Sequence, residues 1–150
     1  MATYLDYGLP TDPLSGPSLA DWAAGVATEL TGHRTVLVPA TGWGDQVGAY
    51  ASANVTRVGG LVVVDATIAR TGAGLAVTAG TDYQIATVPS GYWPAHTVQT
   101  QSTASLAATT TYTGVRIVVT ATGAISFTAP TATTIPTGGW VAVTFTYRGA

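Results

Sequence analysis

From residue 35 onward, turn residues recur too often for long helices. Gly59-Gly60, Thr71-Gly72-Ala73-Gly74, Pro89-Ser90-Gly91 and Ala121-Thr122-Gly123 cut the chain into short runs, and the runs between them alternate in hydropathy as strands do. Residues 61–70 place Val62, Val64, Ala66 and Ile68 on one face and Asp65, Thr67 and Ala69 on the other. Residues 140–147 turn Val141, Val143, Phe145 and Tyr147 to one side. Further strands are expected at 35–38, 54–58, 75–78, 82–88, 112–120 and 124–128, the last two joined as a hairpin through Gly123. Residues 95–103 are polar and read as an edge strand. Residues 102–113 and 128–139, rich in Thr and Ala, read as long loops. Many short strands at this spacing imply a mainly β domain over 35–150, an antiparallel β-sandwich or jelly roll.

The chain before this domain has a different grammar. Residues 1–17 carry Pro10, Pro13 and Pro17, which fix φ and remove donors, so an extended N-terminal arm is expected. Residues 18–32 then read as one short α-helix. Ser18 is a suitable N-cap, Asp21 stands three residues on, and Gly32 suits the C-terminal turn. Leu19, Trp22, Val26 and Leu30 fall on one stripe. A helix of this length is marginal alone in water. Its stripe therefore packs either on its own β domain or against copies of itself around a symmetry axis.

Composition narrows the function. The net charge is −2, with five Arg, no Lys and a single Glu. No basic stripe is available to displace counterions from a nucleic acid or to hold a polybasic contact with a membrane surface. Cysteine is absent, which removes disulfides, thiolate metal sites and Cys nucleophiles. No basic-then-apolar signal peptide pattern opens the chain. The longest apolar runs, such as Leu61 to Val64, are four residues, far short of the roughly 20 needed for membrane insertion as a helix. With 8% charged residues, the surface owes its polarity to hydroxyls and backbone, as expected of a protein packed against partners.

No reaction chemistry is visible. His33 and His96 have no acidic neighbours in sequence, and the acids fall mostly in arms, caps and turns. No phosphate loop, nucleophile elbow or metal-binding pair of histidines occurs. The expectation is a non-enzymatic protein without cofactor or metal. Aromatic residues beside polar ones are the remaining candidates. Trp43 and Asp45 form one group, and Tyr92, Trp93 and His96 the other. Such rings stack on the C–H faces of sugars, and they also plug the ends of β domains and line subunit interfaces.

Three stretches resemble the β head domains of tailed-phage tail and receptor-binding proteins. They are residues 83–95, with the Val88-Pro89-Ser90-Gly91-Tyr92-Trp93-Pro94 turn; residues 114–125, a strand, glycine turn and strand; and the closing strand at 140–147. The arm and helix resemble the N-terminal segment of minor tail proteins from phages of GC-rich actinobacteria. Trp93 stands where the turn signature usually carries arginine, so a ligand contact by that arginine does not carry over. The resemblance implies a virion protein, made in the host cytoplasm, that forms a homotrimer through Leu19, Trp22, Val26 and Leu30. Attachment would fall to Tyr4, Leu5, Tyr7, Leu9 and Leu14 in the arm, and a host-surface glycan to Trp43, Asp45, Tyr92, Trp93 and His96. Other virion proteins would be its partners. Two alternatives stand beside it: a capsid decoration protein clamped to the lattice by its arm, and, of a different class, a carbohydrate-binding module, which implies a monomer with an exposed aromatic platform.

Overall fold

The computed structural model describes residues 32–45, 53–105 and 111–150, and these are all β. The expectations for the arm at 1–17 and for nearly all of the helix at 18–32 lie outside the described residues. Twelve strands follow in order: β1 (His33–Val36), β2 (Val38–Pro39), β3 (Trp43–Asp45), β4 (Ala53–Val58), β5 (Leu61–Arg70), β6 (Leu75–Val77), β7 (Asp82–Thr87), β8 (Val98–Ser105), β9 (Tyr112–Val119), β10 (Ala124–Thr128), β11 (Thr133–Ile135) and β12 (Trp140–Arg148). Every pairing between them is antiparallel.

Ten strands form one sheet in the order β1-β4-β5-β12-β8-β9-β10-β7-β2, with β3 pairing β5 off that path. Its two ends are neighbours in sequence. β1 pairs with β4 and β2 with β7, and only Leu37 separates them. Leu37 is buried and its N–H donates to the Ala53 carbonyl at 2.9 Å. One stretch of chain thus serves both edges, and the sheet curls into a nearly closed barrel, which removes most of the exposed edge. The antiparallel β head expected from the sequence takes this closed form.

The core fills the barrel. Val62, Val64, Ala66 and Ile68 of β5 point inward, opposite Tyr147, Phe145, Val143 and Val141 of β12 in register. Ile85, Ile117, Ile125 and Phe127 complete it from the other wall, all with no exposure. This is the period-2 pattern of the sequence converted into an inside and an outside.

Three local expectations change. Residues 98–105 are not an edge: β8 lies within the path, paired over its whole length with β9. Its other seam is thin, a single Val141↔Ala104 pair with β12, and there the Ser102 hydroxyl donates to the Ala142 carbonyl at 2.8 Å. One side-chain hydroxyl thus adds to the short ladder. The region 128–139 is not wholly loop, since β11 pairs with β6 in a small two-stranded sheet. The loop expected at 102–113 is shortened at both ends by β8 and β9.

Candidate functional site

The structure divides the five aromatic and polar candidates between two ends of the barrel. Trp43 and Asp45 lie on β3, opposite Arg70 and Ile68 near the end of β5. Tyr92, Trp93 and His96 lie in the β7–β8 loop, which meets the β4–β5 turn at the start of β5: the Arg57 guanidinium donates to the Gly91 carbonyl, and Gly149, bridged to Pro94, donates to the Gly60 carbonyl at 2.9 Å. At about 3.3 Å per residue, most of the length of β5 separates the groups.

Neither tryptophan is presented as an open platform. Trp43 is only 7% exposed. Its ring meets Phe127 edge-on, with centroids 5.9 Å apart. The Arg70 guanidinium covers it at 5.4 Å from the ring centroid, within cation–π range, while donating to the carbonyls of Gly42 and Ala73. Trp43 is thus a barrel plug, carried on the short strand β3. Trp93 is half-buried and donates from Nε1 to the Val88 carbonyl at 2.8 Å. Its ring lies against Gly123, whose φ is +83°; a Cβ there would come within 2.5 Å of Nε1. Tyr92 is held through its backbone, where its carbonyl accepts the Tyr147 hydroxyl at 2.7 Å. Burial pushes the Tyr147 phenol up to about 12, so it remains a donor. Tyr92 also borders a groove of about 410 Å³ with His33, Arg57, Gly59 and Gly91. Asp45 and His96 are exposed.

A more organised polar surface lies on the outer face of the β8-β9-β10-β7 wall. Register pairs Gln101 with Arg116, Arg116 with Thr128, and Thr128 with Asp82. Four polar residues therefore form one row across four adjacent strands. The Arg116 guanidinium donates to the Asp82 carboxylate at 3.0 Å and to the Thr128 hydroxyl at 3.1 Å, and the Thr128 hydroxyl donates to the same carboxylate. These bonds hold the Asp82 carboxyl below the usual carboxylate range. The Thr128 hydroxyl is the largest cause and outweighs partial desolvation, with Arg116 adding to it. At neutral pH the row therefore carries a full carboxylate and a full guanidinium, both about half exposed.

Beside the row the outer layer of side chains is interrupted. Gly114 lies two residues before Arg116 on the same face of β9, with open space where its side chain would stand. Together with Gly80, Gln101, Arg116, Thr128 and Pro130 it lines a groove of about 520 Å³. Tyr112, two residues further on the same face, is 56% exposed, its ring tilted against Trp140 at 5.8 Å. The groove thus has a bare backbone at Gly114 and a charged, hydrogen-bonding row along one side, and Tyr112 stands on the same face of β9. Sequence reasoning missed it. The available signal was Arg116, a charge within an otherwise apolar strand, but its partners come from three other strands.

No protein-family model matches the sequence, and no curated protein matches it either. Among solved structures, the fold is similar to the head domain of lactococcal phage bIL170, described among the receptor-binding domains of lactococcal phages. That likeness has a TM-score of 0.55 at 16% identity and covers 79% of this chain and 98% of that one. The receptor-binding protein gp15 of Listeria phage PSA aligns over 90% of this chain and 83% of its own, with a TM-score of 0.45 at 14% identity.

Proposed function

We propose that this chain is a receptor-binding head domain of a bacteriophage virion, a non-enzymatic protein that holds a host-surface saccharide in the groove over Gly114. The observation that carries the reading is the Gln101–Arg116–Thr128–Asp82 row beside that groove, on a fold like that of a phage head domain. Saccharides offer hydroxyls that donate and accept, and apolar C–H faces. The row answers with a carboxylate acceptor, a guanidinium fixed by that carboxylate, and an exposed amide. Tyr112 supplies an exposed ring on the same face, and Gly114 lets the ligand approach the backbone.

The test is binding of the labelled full chain to a panel of bacterial cells, followed by competition with wall polysaccharide from the cells it labels. Arg116→Ala is expected to weaken binding at least tenfold while leaving the circular dichroism spectrum unchanged. Wild-type binding by that variant would move recognition away from this groove. Immunogold labelling of virions then separates a tail station, which this reading requires, from the capsid.

A further inference from the structure

The outer face of β4 and β5 is unusually apolar where the N-terminal segment enters. Val58, Leu61 and Val63 are 40%, 49% and 37% exposed. Register places Val58 opposite Leu61 and Thr56 opposite Val63, so the three apolar side chains and the Thr56 methyl form one patch. Arg34 borders it, opposite Thr56, and Arg148 borders it, opposite Leu61. Asp65 follows further along β5, on the row of Val36 and Asn54.

Gly32 sits directly on this patch. Its φ is +75°, and a Cβ built there would come within 2.8 Å of a Val58 methyl and 3.2 Å of the Thr56 methyl. Only glycine permits both that backbone and that approach. The chain therefore enters β1 beside the apolar patch of β4–β5.

The sequence of residues 18–31 complements the patch in apolar pattern and charge. Leu19, Trp22, Val26 and Leu30 form a single helical stripe in the sequence. Residues 1–31 hold four of the seven acids, Asp6, Asp12, Asp21 and Glu29, and none of the five arginines. Glu29 and Asp21 each stand next to a stripe residue, and the receiving face is bordered by Arg34 and Arg148. As a helix, 14 residues span about 21 Å, shorter than the roughly 33 Å of a ten-residue strand. The segment fits along the β5 face.

We propose that residues 18–31 dock as an amphipathic helix on the outer face of β4–β5 of their own chain, the stripe covering Val58, Leu61 and Val63 and the acids meeting Arg34 and Arg148. The helix is thereby a strap on the barrel and not the axial bundle of a homotrimer. The strap fixes the direction in which residues 1–17 leave the head.

Hydrogen exchange of the full chain, read by mass spectrometry, tests this. Amides of 18–31 are expected to exchange at least tenfold slower than an unstructured chain, independent of protein concentration. Leu61→Asp with Val63→Asp, both at exposed positions, is expected to abolish that protection while leaving 112–128 protected. Protection that survives the double variant, that grows with concentration, or that is absent in the wild type overturns the proposal. A second measurement does not depend on those variants folding. The chain has no cysteine, so Val63→Cys can be paired in turn with cysteine at 19, 22, 26 and 30 and oxidised. A link formed within one chain supports the strap; links only between chains, or none, reject it.

Discussion

Phe127 and Thr128 are adjacent in sequence and belong to different regions of the molecule. Phe127 points into the barrel with no exposure, flanked by Trp43 at 5.9 Å and by the stacked ring of Tyr83 at 5.6 Å. Thr128 points outward, and its hydroxyl links Arg116 and Asp82. The inner face of this wall is held by area and packing; the outer face is held by a few directed bonds. A strand's period of two thus separates what folds the protein from the face proposed to bind a ligand. Substitutions on the two faces are expected to fail in different ways.

The largest effect belongs to the inner face. Phe127→Ala removes a buried ring from between two others, and a loss of about 3–5 kcal/mol is expected. Because β10 joins β9 to β7, the loss is expected to be global, lowering a single cooperative urea transition. A transition unchanged in midpoint would place the core elsewhere.

The next largest effect lies at the end of the same wall. Gly123→Ala requires a Cβ at φ +83°, within 2.6 Å of the Trp93 ring and 2.7 Å of the Val88 carbonyl. Backbone strain and overpacking together are expected to cost about 3 kcal/mol. Here the damage is local: Trp93 is displaced, its hydrogen bond to Val88 breaks, and exchange accelerates over residues 89–97 before the barrel opens. Exchange that accelerates equally in β5 and β12 would show that the loop and the barrel are one cooperative unit, and the comparison would fail.

These faces were not equally legible in the sequence. The inner face was, because β5 and β12 alternate over nearly their whole length and every expected inward residue is buried. Closure was not: that one stretch bears both sheet ends is visible only once β1 finds β4 and β2 finds β7. Of the small β6–β11 sheet only β6 was expected, because the three residues of β11 show no period. Gln101, Arg116, Thr128 and Asp82 lie on four different strands, and only cross-strand register assembles them. The surroundings of Trp43 were hidden for a related reason. A Trp flanked by glycines, as Trp43 is, looks like a loop tip; nothing local reveals that Phe127 and Arg70 close over it.

The smallest stability effect sharpens the comparison most. The Asp82–Arg116 pair is about half exposed on both sides, so solvent screens it, and Asp82→Asn is expected to cost only about 0.2–1 kcal/mol at pH 7. Its pH dependence has a definite sign. In the folded state the Thr128 hydroxyl, and then Arg116, hold the Asp82 carboxyl below its ordinary value. The folded state therefore favours the carboxylate, and the contribution is fully present above the unfolded pKa. It is lost as pH falls through the lowered folded value. The stability difference between wild type and Asp82→Asn, measured by urea unfolding, is expected to be constant from pH 7 to about pH 5 and to shrink below pH 4. A difference that persists undiminished at pH 2 would mean that Asn disrupts packing rather than an ion pair. In binding the order reverses. Asp82 orients Arg116 in the groove, so this nearly silent change in stability is expected to cost several-fold in saccharide affinity. Phe127→Ala, the most damaging to the fold, is expected to leave the affinity of the remaining folded fraction nearly intact.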